Sequence, residues 1–533
     1  MNEKTPLIEV RKVKKYFKVN RRQQLKALDD ISFVLNKGDR FAVVGESGCG
    51  KSTLGKVLLR LHDASSGAMI YHGKTLSDLN PSYIMKEVKK LPEYQKKASL
   101  YYQESLKHEE KLHALSHQLE ETDPEGSEKE SKKHSQLEKK ILKLEYDMKE
   151  ARKNSSRQLR EGAKICGSLI LVKEIDEISR LYEKAARNLE KVFLLKQELK
   201  KEQEASLGMP EGEALSASKE KMKDLMGRIT EAKAEGNGFL AEAESYKGKN
   251  ILPIHERAQF EHYLDRLERH KIDSIDLTKL TSKEMRMQRK DMQMIFQDPA
   301  ASLDPRMTIG KIIEEGLLIH TDYNAAQRKK VALDLIEKVG LKSAHYDSYP
   351  NTISGGQKQR VGIAKALALN PDFLILDESV SALDVSVQAQ ILKLLTDLHE
   401  ELDLTYLFIT HDLGVVKHFC DRLMVMYLGY NFEYGSAAKI FEKPMHPYTQ
   451  SLLASVPRLR TREEEKEEDV IRGEIPSPIN APSGCPFNTR CPHVMEVCRK
   501  VKPKLILLEE DHSVACHLFS GQENEFSRKT IDM

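Results

Sequence analysis

The sequence predicts an α/β fold interrupted by a long helical segment, and three stretches predict it. The first, FAVVGESGCGKSTLGKVLL at 41–59, joins an apolar run to a glycine-rich turn and then to apolar residues at helical spacing. The second, FLILDE at 373–378, is a continuous apolar run of the kind found in buried parallel strands. The third, residues 80–275, is rich in Lys, Glu, Gln and Leu with heptad spacing, which indicates amphipathic helices.

Composition limits the classes of function. With 533 residues the chain is long enough for several domains, and 85 Lys+Arg against 82 Asp+Glu leave a formal charge of +3, so the overall charge does not predict nucleic-acid binding. No apolar run approaches the roughly 20 residues that cross a bilayer. The start, MNEKTPLIEV, has no apolar region of a signal peptide. We therefore expect any membrane role to depend on a partner.

The stretch at 41–59 predicts a strand, a phosphate-binding loop and a helix. Gly45, Gly48 and Gly50 allow backbone conformations that direct successive N–H groups into one concavity at a helix N-terminus. The stretch also completes the pattern G-x-x-x-x-G-K-[ST], in which Lys51 reaches the β- and γ-phosphates and Ser52 ligates Mg²⁺. The sequence therefore predicts nucleotide binding.

Chemically active side chains follow three other predicted strands. DMQMIFQ ends in Gln297, FLILDE ends in Asp377 and Glu378, and LTYLFITHD carries His411 near its end. Because parallel strands deliver their carboxyl ends to one edge of a sheet, we expect the carboxylates and the histidine in one site.

The segment 80–275 is expected to fold back as an antiparallel helical hairpin or bundle, because Gly and Pro divide it into four or five pieces. Its charged faces are either solvated or dock a partner. The heptad positions are Leu137, Ile141, Leu144, Met148 and Ala151, then Ile175, Ile178, Tyr182, Ala185, Leu189, Val192, Leu195 and Leu199. The predicted breaks are 123–126, 162–167, 208–210 and 236–238.

Four of the seven cysteines, Cys485, Cys491, Cys498 and Cys516, lie within 32 residues near the C-terminus. Seven cysteines in so long a chain do not make a disulfide scaffold, so the cluster indicates a metal site in a reducing compartment. Four thiolates suit a [4Fe–4S] cluster or Zn²⁺, and four reduced thiols are the alternative.

In their order along the chain these motifs resemble those of an ABC-type ATPase. The matching motifs are the Walker A sequence GESGCGKST, the Q-loop Gln297, the signature ISGGQ (353–357), the Walker B strand FLILDE, the D-loop SALD (381–384) and the switch His411. The chain is more similar still to the F-type ATP-binding subunit of oligopeptide and dipeptide importers, through QDPAASLDPRMTIG, SALDVSVQAQIL, LTYLFITHDLGVV, HPYTQSLLASVP and the Cys-rich tail. The resemblance covers about 1–79 and 276–520.

The resemblance implies a RecA-like core with an antiparallel β subdomain and a helical signature subdomain, interrupted by an α-helical coiled-coil insertion and followed by a small Cys-rich metal-binding region. The implied domains are 1–79, the first part of the ATPase cassette; 80–275, the inserted helical domain; 276–445, the second part of the cassette; and 446–533, the importer-type C-terminal region.

The resemblance also implies roles for individual residues. Glu378 would orient or deprotonate the attacking water, and His411 would contact the γ-phosphate. Ser52, Gln297 and Asp377 would hold Mg²⁺. Phe17 aligns best with the aromatic residue that stacks on adenine, with Tyr16 as its rival. The implied nucleotide-binding residues are Gly45, Glu46, Ser47, Gly48, Cys49, Gly50, Lys51, Ser52, Thr53, Asp377, Ser354, Gly355, Gly356, Gln357 and Asp384, the signature residues among them acting on ATP bound to an opposite subunit.

The implied function is ATP hydrolysis that energises import of oligopeptides or dipeptides, at the cytoplasmic face of the cell membrane. The implied partners are a second ABC ATPase (a D-type subunit in a heterodimer), two integral membrane permease subunits and an extracytoplasmic peptide-binding protein, with no nucleic acid. The resemblance favours iron–sulfur over zinc for the Cys cluster. One departure, Ser379 in place of the usual Pro, frees the backbone beside Glu378 and bears on the rate of hydrolysis.

The order and number of the motifs argue against two other functions. An ABC ATPase of the chromosome-maintenance type also contains a coiled coil, but there the coil separates the Q-loop from the signature. In this chain Gln297 and Ser354 are 57 residues apart, whereas Lys51 and Gln297 are 246 apart. A translation factor of the ABC class would need two cassettes, and one is present. An importer for another solute, such as nickel, stays open.

Overall fold

The computed structural model divides into two compact units, one of Met1–Gly73 with Asp276–Met533 and one of Lys74–Ile275. The residues that the structure describes are 5–21, 23–120, 122, 128–206, 212–252, 260–272, 274–298, 301–381, 383–455 and 473–521.

The strands are β1 (Pro6–Lys18), β2 (Gln24–Asn36), β3 (Arg40–Val44), β4 (Ser66–Thr75), β5 (Ser274–Asp276), β6 (Met292–Ile295), β7 (Phe373–Asp377), β8 (Thr405–Ile409), β9 (Arg422–Tyr427), β10 (Tyr430–Ser436), β11 (Ile506–Glu509) and β12 (His512–Val514).

The α-helices are α1 (Lys51–Leu58), α2 (Leu76–Leu79), α3 (Ser82–Lys89), α4 (Leu91–Glu120), α5 (Glu128–Cys166), α6 (Ile175–Ser206), α7 (Glu213–Glu244), α8 (Phe260–Arg269), α9 (Ser282–Gln288), α10 (Ile309–His320), α11 (Ala325–Lys338), α12 (Gly355–Leu367), α13 (Val385–Leu402), α14 (Leu413–Phe419), α15 (Ala437–Glu442), α16 (Pro447–Ala454) and α17 (Glu496–Lys500).

The main sheet of the first unit has the strand order β11-β12-β10-β9-β3-β8-β7-β6. The five strands from β9 to β6 are parallel, with β3 paired to β8 on one side and to β9 on the other. Every residue of β7 and of β8 is buried, which explains their uninterrupted apolar sequences. The prediction of buried parallel strands at FLILDE and LTYLFITHD is confirmed.

The N-terminal strands form a second, antiparallel sheet. In it β1 pairs with β2 and with β4, and the β1–β2 register sets Tyr16 opposite Lys26 and Phe17 opposite Leu25. Inward residues such as Val13, Leu28 and Ile31 are fully buried, whereas their neighbours along the strands are partly exposed. This alternation is what a half-buried antiparallel sheet requires.

The C-terminal region adds two strands to the main sheet. Strand β12 pairs with β10, and β11 with β12. Beside them Tyr448 of α16 and Phe487 pack on Tyr427 of β9, with ring centroids 4.8 and 5.4 Å from it. Buried aromatic rings therefore anchor this region to the strand next to β3.

The second unit is mainly helical in its described residues. Helix α4 packs along α5, and α6 along α7. The predicted heptad positions of α6 lie in its buried or half-buried stripe; Ile178, Val192 and Leu195 are among the most buried. The unit begins at Lys74, whereas the predicted insertion begins at residue 80, because Asp78 of α2 forms an ion pair with Lys196 of α6.

The predicted breaks in this segment have different outcomes. Gly167 follows the end of α5 with a φ of +56°, so the chain does turn there. The break at 236–238 is wrong, because α7 continues through it. Gly236 is buried there, and a Cβ built on it would lie 3.3 Å from the Asn188 Cβ of α6, so glycine serves close packing. The breaks at 123–126 and 208–210 lie outside the described residues.

None of the helices in the described ranges is both long enough and apolar enough to cross a bilayer.

Candidate nucleotide site

The phosphate loop lies between β3 and α1, pressed against neighbouring backbone. Gly45 and Gly50 have φ angles of +152° and +104°, which residues with a Cβ rarely adopt. A Cβ at Gly45 would lie 2.1 Å from the carbonyl oxygen of Met426, and one at Gly50 would lie 2.3 Å from that of Ala27. Both glycines are therefore required by conformation and by space.

Lys51 places its charge inside the loop. Its Nζ donates hydrogen bonds to the carbonyl oxygens of Gly45 at 2.8 Å and Glu46 at 3.2 Å, and its side chain is almost fully buried. The N–H groups in the first turn of α1 have no acceptor within the helix. The loop thus combines a cation with a helix N-terminus, an arrangement that attracts phosphate.

Ser52 and Asp377 are joined although 325 residues separate them in sequence. The Ser52 Oγ donates to the Asp377 Oδ1 at 2.7 Å. Burial raises the pKa of Asp377 and the nearby Glu378 charge adds to this rise, while the Ser52 hydrogen bond opposes it. Hydroxyl and carboxylate oxygens are the ligands that Mg²⁺ prefers, so the donor set fits this ion.

Glu378 lies between two other predicted residues. The Gln297 Nε2 donates to its Oε2 at 2.7 Å, and the His411 Nδ1 is 3.7 Å from its Oε1. Its backbone has a φ of +44°, and its N–H donates to the Ile409 carbonyl oxygen at 2.9 Å. The ends of β6, β7 and β8 therefore bring an amide, a carboxylate and an imidazole together, as expected for one edge of a parallel sheet.

The signature residues form the start of α12. The Ser354 Oγ accepts from the Gln357 N–H at 3.3 Å, while the Gln357 Oε1 accepts from the Ser354 N–H at 2.9 Å. This reciprocal pair is a capping box, and it leaves Ser354 and Gly355 exposed. Asp384, at the start of α13, is also exposed, and Ala382 of the predicted D-loop lies outside the described residues.

No hydrogen bond or ion pair within the described part of the chain joins the signature residues or Asp384 to the phosphate loop. The structure of the single chain therefore does not bring these predicted site residues to the others.

The two rival aromatic residues have different surroundings. The Tyr16 hydroxyl donates to the Asp29 Oδ1 at 2.5 Å. Phe17 contacts the ring of His62 edge-on at a centroid distance of 5.4 Å and lies 4.7 Å from the Lys15 Nζ. The Tyr16 ring is thus fixed through its hydroxyl, whereas the Phe17 ring is held by packing and by a cation.

The four C-terminal cysteines lie near one another. The Cys485 N–H donates to the Cys498 carbonyl oxygen at 2.8 Å. Burial, together with the charges of the other cysteines, raises the pKa of Cys485 to about 12 and that of Cys516 to about 11. Among the described residues, however, no three His, Cys, Asp or Glu side chains are placed to hold a metal ion.

Two residues that sequence reasoning left without a role contact the phosphate loop directly. Arg490 forms an ion pair with Glu46 at 2.7 Å, and the Tyr448 hydroxyl accepts from the Glu46 N–H at 2.9 Å. Tyr448 lies in HPYTQSLLASVP and Arg490 in the Cys-rich tail, two motifs of the family resemblance. Those motifs were the only feature of the sequence that could have pointed to these residues.

Comparison with known proteins gives two family matches. The ABC transporter family matches at 28–211 and 258–381, which is more than half of the chain, and the oligopeptide/dipeptide transporter C-terminal region matches at 432–498. The chain belongs to the ABC transporter family. It is therefore an ABC importer ATPase, and the family predicted from its motifs is confirmed.

Curated relatives of this ATPase share almost half of their aligned residues with it. It is 48% identical over 252 residues to the putative oligopeptide transport ATP-binding protein YkfD of Bacillus subtilis, covering 47% of this chain and 77% of that protein. The dipeptide transport ATP-binding protein DppF of Escherichia coli is 48% identical over 252 residues, with coverage of 47% and 74%. AppF of Bacillus subtilis, an oligopeptide transport ATP-binding protein, is 48% identical over 247 residues, with coverage of 46% and 75%.

Proposed function

We propose that this chain binds and hydrolyses ATP to energise the import of oligopeptides or dipeptides across the cytoplasmic membrane. The observation that carries the catalytic part is Glu378, held between Gln297 and His411 next to the Ser52–Asp377 pair. The names of the relatives and the match to the oligopeptide/dipeptide C-terminal region support the substrate class.

The proposed roles follow from the side chains. Lys51 and the loop amides bind the β- and γ-phosphates, and Glu378 orients the attacking water and accepts its proton. Ser52, Asp377 and Gln297 would hold Mg²⁺, and the ion would neutralise phosphate charge when bound. Among the aromatic residues we assign adenine stacking to Phe17, because the Tyr16 hydroxyl is engaged by Asp29.

We further propose that hydrolysis requires a dimer with a second ABC ATPase, a D-type subunit. The support is the exposure of the signature residues Ser354 and Gly355, whose counterparts in the family contact ATP bound to the opposite subunit. The other proposed partners are two integral permease subunits, which would hold this ATPase at the cytoplasmic face of the membrane, and an extracytoplasmic peptide-binding protein.

For the C-terminal cysteines we propose a [4Fe–4S] cluster, with Zn²⁺ as the alternative. The support is the donor set alone, four cysteines within 32 residues of sequence, because thiolates are the ligands that such clusters use. For the domains we propose a cassette of 1–79 and 276–445, an inserted helical coiled-coil domain at 80–275 and an importer-type region at 446–533.

The test is reconstitution of the chain with the second ATPase and both permeases in liposomes. Addition of the binding protein loaded with peptide should stimulate ATP hydrolysis and drive peptide uptake, and a complex carrying Glu378→Gln should do neither. Equal hydrolysis with and without loaded binding protein, or uptake of nickel instead of peptide, would contradict the proposed coupling.

A further inference from the structure

An ion pair ties the phosphate loop to the C-terminal region. The Arg490 Nη1 donates to the Glu46 Oε2 at 2.7 Å and its Nη2 donates to the Glu46 Oε1 at 3.0 Å, so the pair is bidentate. The Arg490 side chain is 6% exposed and the Glu46 side chain is 21% exposed. Arg490 also donates to the Tyr427 hydroxyl at 3.2 Å, which fixes the plane of the guanidinium group. Such planar, partly buried pairs are specific in geometry.

The backbone of Glu46 is held from the same side. Its N–H donates to the Tyr448 hydroxyl at 2.9 Å, and Tyr448 is fully buried on α16. The Tyr448 ring packs against Tyr427 and Phe487, at centroid distances of 4.8 and 5.4 Å. The C-terminal region thus fixes both the side chain and the main chain of this loop residue.

A second contact reaches the hairpin that carries the candidate adenine-stacking residue. The Lys502 Nζ donates to the Asp29 Oδ2 at 2.6 Å and lies 4.0 Å from the centre of the Tyr430 ring. Asp29 also accepts from the Tyr16 hydroxyl, and Tyr16 is the strand neighbour of Phe17. The C-terminal region therefore contacts both the phosphate loop and the β1–β2 hairpin.

We propose that Arg490 is a positioning residue for the nucleotide, through which the C-terminal region sets ATP affinity. A carboxylate in a phosphate loop repels the polyphosphate that the loop binds, and this repulsion is strong where water is excluded. Arg490 compensates the Glu46 charge and holds the loop in shape. Removal of one member of such a pair leaves the other charge uncompensated. The inference rests on the proposed nucleotide binding.

The experiment uses the purified full chain and two readouts, titration calorimetry with Mg·ADP and hydrogen exchange of a peptide covering 41–59 without nucleotide. Arg490→Gln should weaken Mg·ADP binding about tenfold and speed exchange in the loop. Arg490→Lys, which keeps the charge but loses the bidentate geometry, should weaken binding about threefold.

The double variant Glu46→Gln/Arg490→Gln should recover most of the affinity, because it removes the uncompensated charge. Lys500→Gln is the matched control, since Lys500 pairs with Glu496 in the same region but the two side chains are 70% and 81% exposed. Its affinity should equal that of the unmodified chain.

Wild-type affinity and exchange in Arg490→Gln would overturn the inference, as would weak binding that the double variant does not recover. If Arg490→Gln does not fold, unchanged binding in Arg490→Lys overturns it. The proposed function fails in a different way, since the unmodified chain would then not bind Mg·ADP. In that case faster loop exchange in Arg490→Gln would still support the structural link.

Discussion

The Gln297 side-chain amide donates a hydrogen bond to the Glu378 carboxylate, with 2.7 Å between Nε2 and Oε2. The two residues follow adjacent parallel strands, β6 and β7, at the same edge of the sheet. An amide N–H donates a hydrogen bond but cannot accept a proton, so in the proposed mechanism this contact orients the carboxylate and the carboxylate itself takes the proton of the attacking water. The contact thus joins the Q-loop to the proposed catalytic base.

Glu378→Gln should abolish this base with little change in shape. We expect ATP binding to be retained, the nucleotide-bound dimer to accumulate, and turnover of the assembled complex to fall by about 10²–10⁴-fold. The measurements are phosphate release and sedimentation of the complex with ATP. Glu401→Gln, which removes an exposed carboxylate paired with Lys338, is the control and should keep full turnover. Unchanged turnover in Glu378→Gln would refute the assignment.

The burial of His446 predicts that the folded chain loses stability in acid. The ring is fully buried against Phe432, at a centroid distance of 4.1 Å, and burial lowers the pKa of His446 to about 3. Between this value and the unfolded pKa of about 6.5, the unfolded chain binds a proton that the folded chain does not. The free energy of unfolding therefore falls as the pH drops below about 6.5, by at most about 1.4 kcal/mol per pH unit from this group.

The test compares His446→Asn with the unmodified chain by urea unfolding from pH 7.5 to pH 5. Asparagine can still accept the Tyr448 N–H at the start of α16, but it loses the stacking on Phe432. We expect the variant to be less stable at pH 7.5 and the deficit to shrink toward pH 5. An exposed control, His418→Asn, should follow the unmodified chain. A deficit independent of pH would show that folding does not lower the pKa of His446.

The Cys cluster predicts bound iron and acid-labile sulfide in protein purified without oxygen. Cys491→Ser should lose the broad visible absorption of the cluster, because each of the four thiolates is a ligand in the proposed cluster. Cys420→Ser is the matched control, since this cysteine is buried between α14 and β9 and should leave the absorption unchanged. Stoichiometric zinc without iron would reject the cluster but keep the thiolate site, and metal-free protein would reject both.

The parts of the site that follow strand ends could be predicted from sequence. Asp377, Glu378 and His411 come after continuous apolar runs, and parallel strands place such ends together whatever the chain length between them. The Arg490–Glu46 pair could not be predicted in this way, because 444 residues separate its members and no local pattern joins them. Arg490 lies in the Cys-rich tail that the resemblance identified, but its contact with Glu46 becomes visible only in the folded structure.

In the helical unit, one prediction from local sequence was wrong. Gly236 and Gly238 indicate a break by propensity, because glycine costs about 1 kcal/mol in a helix. Helix α7 nevertheless continues through both glycines, and Gly236 packs against Asn188 of α6. Tertiary contacts override propensity where two helices approach closely.

The last prediction concerns removal of the helical unit. Its buried cores consist of its own residues, one including Leu91, Leu159 and Ile178 and the other including Val192 and Leu225. The large core around the main sheet is likewise built from residues of the first unit alone. Since neither core includes residues of the other unit, we expect a chain in which a short Gly/Ser linker replaces residues 80–275 to fold and bind ATP.

The measurements for this deletion are thermal unfolding and nucleotide titration. We expect a single cooperative transition and an ATP affinity within about threefold of the full chain, which corresponds to less than 1 kcal/mol. Lys51→Ala in the same truncated chain is the control, and its loss of binding would show that the nucleotide occupies the phosphate loop. A truncated chain that is unfolded, or folded without ATP binding, would mean that the cassette needs the helices. The proposed domain boundaries would then be wrong, because a removable insertion cannot contribute to the core that positions Lys51.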